Sequence, residues 1–185
     1  MPRAGLSAQA VTDAAAELAD AEGLDALTLA SLAARLGVRP PSLYAHVAGV
    51  EDLRARLAAR GAAQLAARLQ AAAAGRAGPE ALASVATAYR AFAREHPGAY
   101  SALQRAPAPG EQAVPAAEEL VATMLAVLAG YGLEGDEALH ATRAVRSALH
   151  GFAVLEAQGG FGLPLSLDDS FAALVALLDR GLRGA

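Results

Sequence analysis

The sequence predicts an all-α chain of about nine helices, on three observations. Alanine, the best helix former, supplies much of a hydrophobic content of 55%, while β-branched residues are sparse and aromatics reach only 4%. No strict apolar–polar alternation marks a strand. Apolar residues instead recur at three- and four-residue spacing between Gly and Pro breaks. A chain of 185 residues can bury a core without staples. The absence of Cys excludes disulfides, thiolate nucleophiles and Cys-bound zinc.

Each element follows in order. Helix one runs from Ser7 to about Glu22 with Val11, Ala15 and Leu18 inward, helix two from Thr28 to Leu36, and helix three from Pro40 to Val47. Gly49 breaks the chain, and helix four extends from Val50 to about Ala74, with Leu53, Leu57, Leu65 and Leu69 on one stripe. A turn over Gly75 to Pro79 leads into Glu80 to His96, which Pro97 and Gly98 stop, and a short helix over Ala99 to Gln104 follows. Arg105 to Pro115 reads as a Pro-rich loop. Three helices remain, at Ala116 to Tyr131, Asp136 to about Gln158, and Leu167 to Leu182. The longest near-apolar run, Leu120 to Leu133, is 14 residues, too short to span a bilayer, and MPRAGLSAQA lacks the apolar core of a signal peptide. A cytoplasmic protein with no membrane partner is expected.

Function is most legible between Leu27 and Leu53, LTLASLAARLGVRPPSLYAHVAGVEDL. Thr28 can cap a helix whose Leu29, Leu32, Ala33 and Leu36 form one apolar face. Gly37 can take the positive φ of a sharp helix exit, Val38 plugs the turn, and Pro40 and Pro41 suit the first turn of a new helix. Leu43 and Val47 anchor that helix inward. Arg39, Ser42, Tyr44, Ala45 and His46 are left outward, with donors for phosphates and base edges. Two short helices around a glycine turn form a helix-turn-helix, which lays its second helix in the DNA major groove.

The string LTLASLAARLGVRPPSLYAHV resembles the DNA-binding segment of TetR-type (tetracycline-repressor-like) transcriptional regulators, down to the Leu-Tyr-x-His-Val ending at Leu43 to Val47. LHGFAVLEAQGGF, from Leu149 to Phe161, and SFAALVALLDRGL from Ser170 resemble the WHG C-terminal domain of a subset of these regulators, with Leu149 where the motif has Trp. The resemblance implies an all-helical homodimer: residues 1–48 bind a double-stranded DNA operator, and residues 49–185 bind a small effector and dimerise, with helix 50–74 joining the two. No cofactor is implied. Tyr44 and His46 match the family's phosphate-contacting Tyr and His. Arg39 replaces a small polar cap with a cation that either contacts DNA or is an ordinary surface arginine. Thr28 can aim its helix N-terminus at a phosphate, and Pro41 and Ser42 can reach base edges. Arg3 belongs to an arm near the DNA or to a tail. Val50 stands where relatives carry a phosphate-binding Lys, followed by Glu51 and Asp52, so Arg54 or Arg56 would have to compensate.

Charge argues against a broad electrostatic grip. Residues 1–60 hold six Arg against seven acids. Asp13, Glu17 and Asp20 share one helix face that can point away from DNA. Non-specific binding through counterion release should therefore be weak, leaving affinity to dimeric binding and base contacts.

The second half yields looser expectations. Arg143, Arg146 and His150 could meet a polar or anionic effector, or pair with Glu118, Glu119 or Glu156. Tyr89, Phe92, Tyr100, Leu103 and Met124 either wall a pocket or are plain core. His140 and His150 do not suit a metal site, since ten helical residues separate them by about 80° and about 15 Å. Phe171, Leu174, Val175, Leu177 and Leu178 make a broad apolar face that should pair with the helix around Ala148, Gly151, Ala153 and Leu155 in a two-fold interface. Two recognition helices would then face a palindrome with half-sites about 34 Å apart. With no phosphate-cradling Gly loop and no paired metal ligands, a catalytic role is not expected. The chain reads as a ligand-responsive repressor; the alternative is a helical ligand-binding or interaction protein whose helix-turn-helix no longer binds DNA.

Overall fold

The computed structural model describes residues 6–104 and 115–184, so Arg3 and positions 105–114 of the expected loop lie outside the described residues. Eight α-helices and two 3-10 helices make up the described elements. They are α1 (Ala8–Glu22), a 3-10 turn (Leu24–Ala26), α2 (Leu29–Leu36), a 3-10 helix (Pro40–Ala45), α3 (Val50–Ala73), α4 (Gly78–Glu95), α5 (Pro97–Leu103), α6 (Pro115–Ala129), α7 (Gly135–Ala157) and α8 (Leu167–Arg183). Ser7, the expected start of the first helix, caps α1, and Gly37 is the expected exit of α2. The Ser7 hydroxyl accepts from Ala10 N–H at 3.1 Å, and Gly37 closes α2 at φ 66°, ψ 32°.

One element differs in type from the sequence expectation. The segment expected as a third α-helix is a 3-10 helix, with Ser42 N–H donating to Arg39 C=O at 2.9 Å and His46 N–H to Leu43 C=O at 2.8 Å. Two of its six residues are prolines without an N–H, and so short a run closes i→i+3 bonds instead of building a longer ladder.

The chain packs as two compact units, one drawn from residues 1–63 and 95–112, the other from 64–94 and 113–185. The division falls inside α3, and α5 belongs with the first unit. That unit is built around Val11, Ala15, Leu18, Leu27, Leu32, Leu43, Val47, Leu53, Leu57 and Ala102. α5 lies against α1 so closely that a Cβ at Gly98 would sit 2.3 Å from the Ala19 carbonyl carbon. Asp20 secures the contact, its Oδ1 accepting from Gly98 N–H at 2.8 Å and Ala99 N–H at 3.2 Å.

In the second unit, α4 buries Leu82, Val85, Ala86, Tyr89 and Phe92, α6 packs on α7, and α7 on α8. The start of α4 meets the end of α6 backbone to backbone, since a Cβ at Gly130 would lie 2.4 Å from the Gly78 nitrogen. Arg90, a buried cation on α4, ties the unit together. It donates to both oxygens of Glu156 on α7 at 2.7 and 2.6 Å and to Asp168 on α8 at 2.8 Å, lying over the rings of Phe152 and Phe171.

Candidate nucleic-acid interface

The helix-turn-helix presents a sharp division between buried and exposed residues. Leu32, Leu43 and Val47 are buried, Val38 packs against the same core, and Arg39, Pro41, Ser42 and Ala45 are exposed. Tyr44 is 62% exposed despite its size, and His46 is half-buried at the end of the 3-10 helix. The outward face is held from below by leucines and from both ends by backbone bonds. Turn chemistry explains this: Val38 N–H donates to Ala33 C=O at 3.0 Å, so the chain leaves α2 in one direction only.

Thr28 makes a full capping box with Ser31. Its hydroxyl accepts from Ser31 N–H at 3.0 Å, and the Ser31 hydroxyl accepts from Thr28 N–H at 3.0 Å. Ser31 also donates to a carbonyl, Ala26 or Thr28, at 2.8 and 3.1 Å, so it locks the entry to α2 as well as its first turn. Arg39, by contrast, caps the 3-10 helix with backbone alone and its side chain makes no cap bond.

The charges around this face are largely committed to one another. Glu17 holds Arg35 at 3.0 Å, Asp13 holds Arg60, Glu51 holds Arg54 at 2.9 Å, and Asp52 receives both Nε and Nη2 of Arg56 at 2.9 Å. Among the described residues before position 61, Arg39 is the arginine left without an acid partner. The face of Asp13, Glu17 and Asp20 is thus turned to intrachain work. Asp52 also accepts from Ala48 N–H at 2.9 Å, tying down the approach to α3. The Arg56 guanidinium, and then that N–H, hold the Asp52 carboxyl below the usual carboxylate range. Val50 opens α3 half-buried, and the two arginines expected to substitute for a Lys there are engaged by Glu51 and Asp52.

The effector candidates are divided between the units. Tyr100, buried, and Leu103, half-buried, belong to the first unit; Tyr89, Phe92, Met124, Arg143, Arg146 and His150 belong to the second. Tyr89, Phe92 and Met124 are buried there, with Arg68 over the Phe92 ring, while Arg143 and Arg146 are exposed. Burial first, and then the Arg146 charge, lower the His150 pKa, so its imidazole is neutral at neutral pH. Glu156, a candidate partner for that cluster, is taken by Arg90. None of the eight lines the groove of about 640 Å³ that runs between α4 and α8. Of the residues expected at the dimer interface, Phe171 is spent inside its own unit against Phe152, whereas Leu155 is 45% exposed and Ala148, Gly151, Leu174, Val175 and Leu178 are half-buried.

Arg90 is the site residue that sequence reasoning missed. Its signal was position: it stands four residues after Ala86 and eight after Leu82, on the buried stripe of α4, where a cation needs a partner.

Comparison with known proteins agrees with this geometry. Residues 11–57 match the family described as bacterial regulatory proteins, tetR family, and residues 82–178 match the tetracyclin repressor-like C-terminal domain. The chain is 39% identical over 181 residues to the HTH-type transcriptional regulator Rv0681 of Mycobacterium tuberculosis, covering 97% of this chain and 83% of that one. It is 42% identical over 166 residues to the HTH-type regulator YobS of Bacillus subtilis, covering 86% and 84%. A TetR variant from Acinetobacter baumannii, solved in complex with minocycline, superposes with a TM-score of 0.69 at 27% identity, covering 97% of this chain and 96% of that one. A capped helix-turn-helix with an outward Arg39, Ser42 and Tyr44, followed by a helical C-terminal unit, therefore makes this chain a member of the TetR family of DNA-binding transcriptional regulators.

Proposed function

We propose that this regulator is a ligand-responsive repressor that acts in the cytoplasm and binds a palindromic operator as a homodimer. The observation that carries the reading is the outward set of Arg39, Ser42 and Tyr44 on a turn whose other side, Leu43 and Val47, is buried. Thr28, Pro41 and His46 complete the contact surface, Thr28 through the N-terminus of α2 and Pro41 through a thymine methyl. Residues 1–48 carry DNA recognition in this reading, and residues 49–185 carry effector binding and dimerisation.

Exposed apolar area supports the dimer. Ala148, Gly151 and Leu155 fall on one stripe of α7, and Leu174, Leu177 and Leu178 on one flank of α8, with Leu177 59% exposed. A Cβ at Gly151 would meet nothing within 4 Å, which leaves room for a close partner helix. The solved relative bound to minocycline supports a small-molecule effector. Effector binding would tilt α3 and move the two recognition elements off their half-site spacing, provided the ligand prefers the released state.

Fluorescence anisotropy with DNA flanking the protein's own gene tests the reading. Arg39→Ala and Tyr44→Phe should each weaken binding by about tenfold or more without changing the fold. A folded dimer that shifts no such DNA at low salt would overturn it and favour a sequestering protein. A monomer by light scattering at micromolar concentration would remove the two-fold geometry.

A further inference from the structure

We infer that the groove between α4 and α8 binds an amphipathic carboxylate, whose head group takes the place of Asp168 on Arg90. The groove has a polar end and an apolar body. Arg90, Arg94 and Asp168 form this end, Ala83, Ala91, Phe171, Ala172 and Val175 line the body beside Thr87, and Asp179, held by Tyr131 and Arg183, closes the far end. Arg90 contacts Asp168 and Pro79 lies at the other end, so the cleft runs eleven residues along α4, on the order of 16 Å, the reach of a medium-length acyl chain. A volume of about 640 Å³ lies within the range of small-molecule sites.

The polar end contains one fixed and one exchangeable carboxylate. Glu156 takes Nε and Nη2 of Arg90 and its side chain is only 11% exposed, so it holds the guanidinium in place as a permanent partner. Asp168 takes Nη1 from the mouth of the groove with its side chain 82% exposed. An ion pair with so exposed an arm contributes little and can swing into water. A ligand carboxylate would receive the same N–H, and Arg94, 61% exposed and 4.0 Å from Glu156, lines the same end as a second cation. Charge thus selects the head group and apolar burial supplies the affinity.

Most of the groove's α8 wall lies away from the Leu174 and Leu177 flank proposed for the dimer: Ala172, Ala176 and Asp179 fall on one side of α8 and Leu174 and Leu177 on the other, while Phe171 and Val175, expected on the dimer face, line the groove. This inference does not rest on DNA binding.

Titration calorimetry with dodecanoate, below its micelle concentration, tests it on the whole chain in the absence of DNA. The wild type should bind one equivalent, and dodecyltrimethylammonium should not compete. Asp168→Asn, which removes the internal competitor, should tighten dodecanoate binding by about fivefold, and Arg94→Gln should weaken it. Ala172→Trp fills the groove from an exposed position and should reduce binding by about tenfold or more. Ala83→Phe on the opposite wall carries the same expectation should the first variant fold poorly. Absence of binding, or binding that both groove-filling variants leave intact, would overturn the inference.

Discussion

The two units differ in how deeply they place their charges. In the first, the arginine pairs are partly exposed, whether within one helix, as Arg54 to Glu51 and Arg56 to Asp52, or between helices, as Arg35 to Glu17 and Arg60 to Asp13. In the second, one buried arginine joins helices through residues 66 and 78 positions apart. The contrast separates recognition from support. Surface pairs silence the first unit's cations and leave Arg39 to act outward, whereas the Arg90 cluster acts inward, on the fold.

The largest expected effect tests the second unit. Arg90→Met should destabilise it by about 3 kcal/mol by thermal melting, because the largely enclosed Glu156 loses both hydrogen bonds from Arg90 and keeps only Arg94, 4.0 Å away. A loss below about 1 kcal/mol would show the cluster to be no stronger than a surface pair.

Acid adds a sign to the same comparison. Arg90 holds the Glu156 carboxyl below its ordinary value of 4.5, so the stability from this pair is present above that pH and is lost as pH falls through the lowered value. In Arg90→Met the Glu156 carboxyl loses the hydrogen bonds that lower its pKa most, so it protonates at higher pH than in the wild type and the deficit should shrink between about pH 5 and pH 3. A deficit that stays constant over that window would contradict the assignment of Glu156 as the fixed partner.

Gly98→Ala should have the next largest effect, in the first unit. Its Cβ would lie 2.3 to 2.6 Å from atoms of Ala19, so α5 must separate from α1, at a cost of about 1–3 kcal/mol. Chemical denaturation measures it, and a neutral result would show that α5 can slide without strain.

The smallest effect concerns the surface pairs. Arg35→Gln should change stability by less than about 1 kcal/mol, since Arg35 is 38% and Glu17 68% exposed. Operator affinity should likewise fall only shallowly with salt, because the arginines at 35, 54, 56 and 60 already hold acids. A steep slope in a salt titration would show that these pairs open on DNA.

The all-α class, the helix boundaries to within about two residues, and the buried and exposed sides of the helix-turn-helix were legible in the sequence. Capping, apolar spacing and glycine exits act over a few residues: Thr28 with Ser31, Leu29 to Leu36, Gly37 with Ala33. The 3-10 character of Pro40–Ala45 was not legible, because prolines suit the start of an α-helix and of a 3-10 helix alike. Nor was the partner of Arg90, since periodicity places it on a buried face but does not say which of the distant acids comes to meet it. The same limit explains Phe171, which belongs to an apolar stripe in sequence and to its own core in space.

By itself, then, the sequence determined to within about two residues where the helical segments begin and end, and which side chains of the helix-turn-helix face outward, because those depend on contacts a few residues long. Only the tertiary structure decided that α5 packs against α1, that Arg90 takes Glu156 and Asp168, and that a groove opens between α4 and α8. Such pairings depend on how helices distant in the chain are brought side by side, and no local pattern of residues encodes that distance.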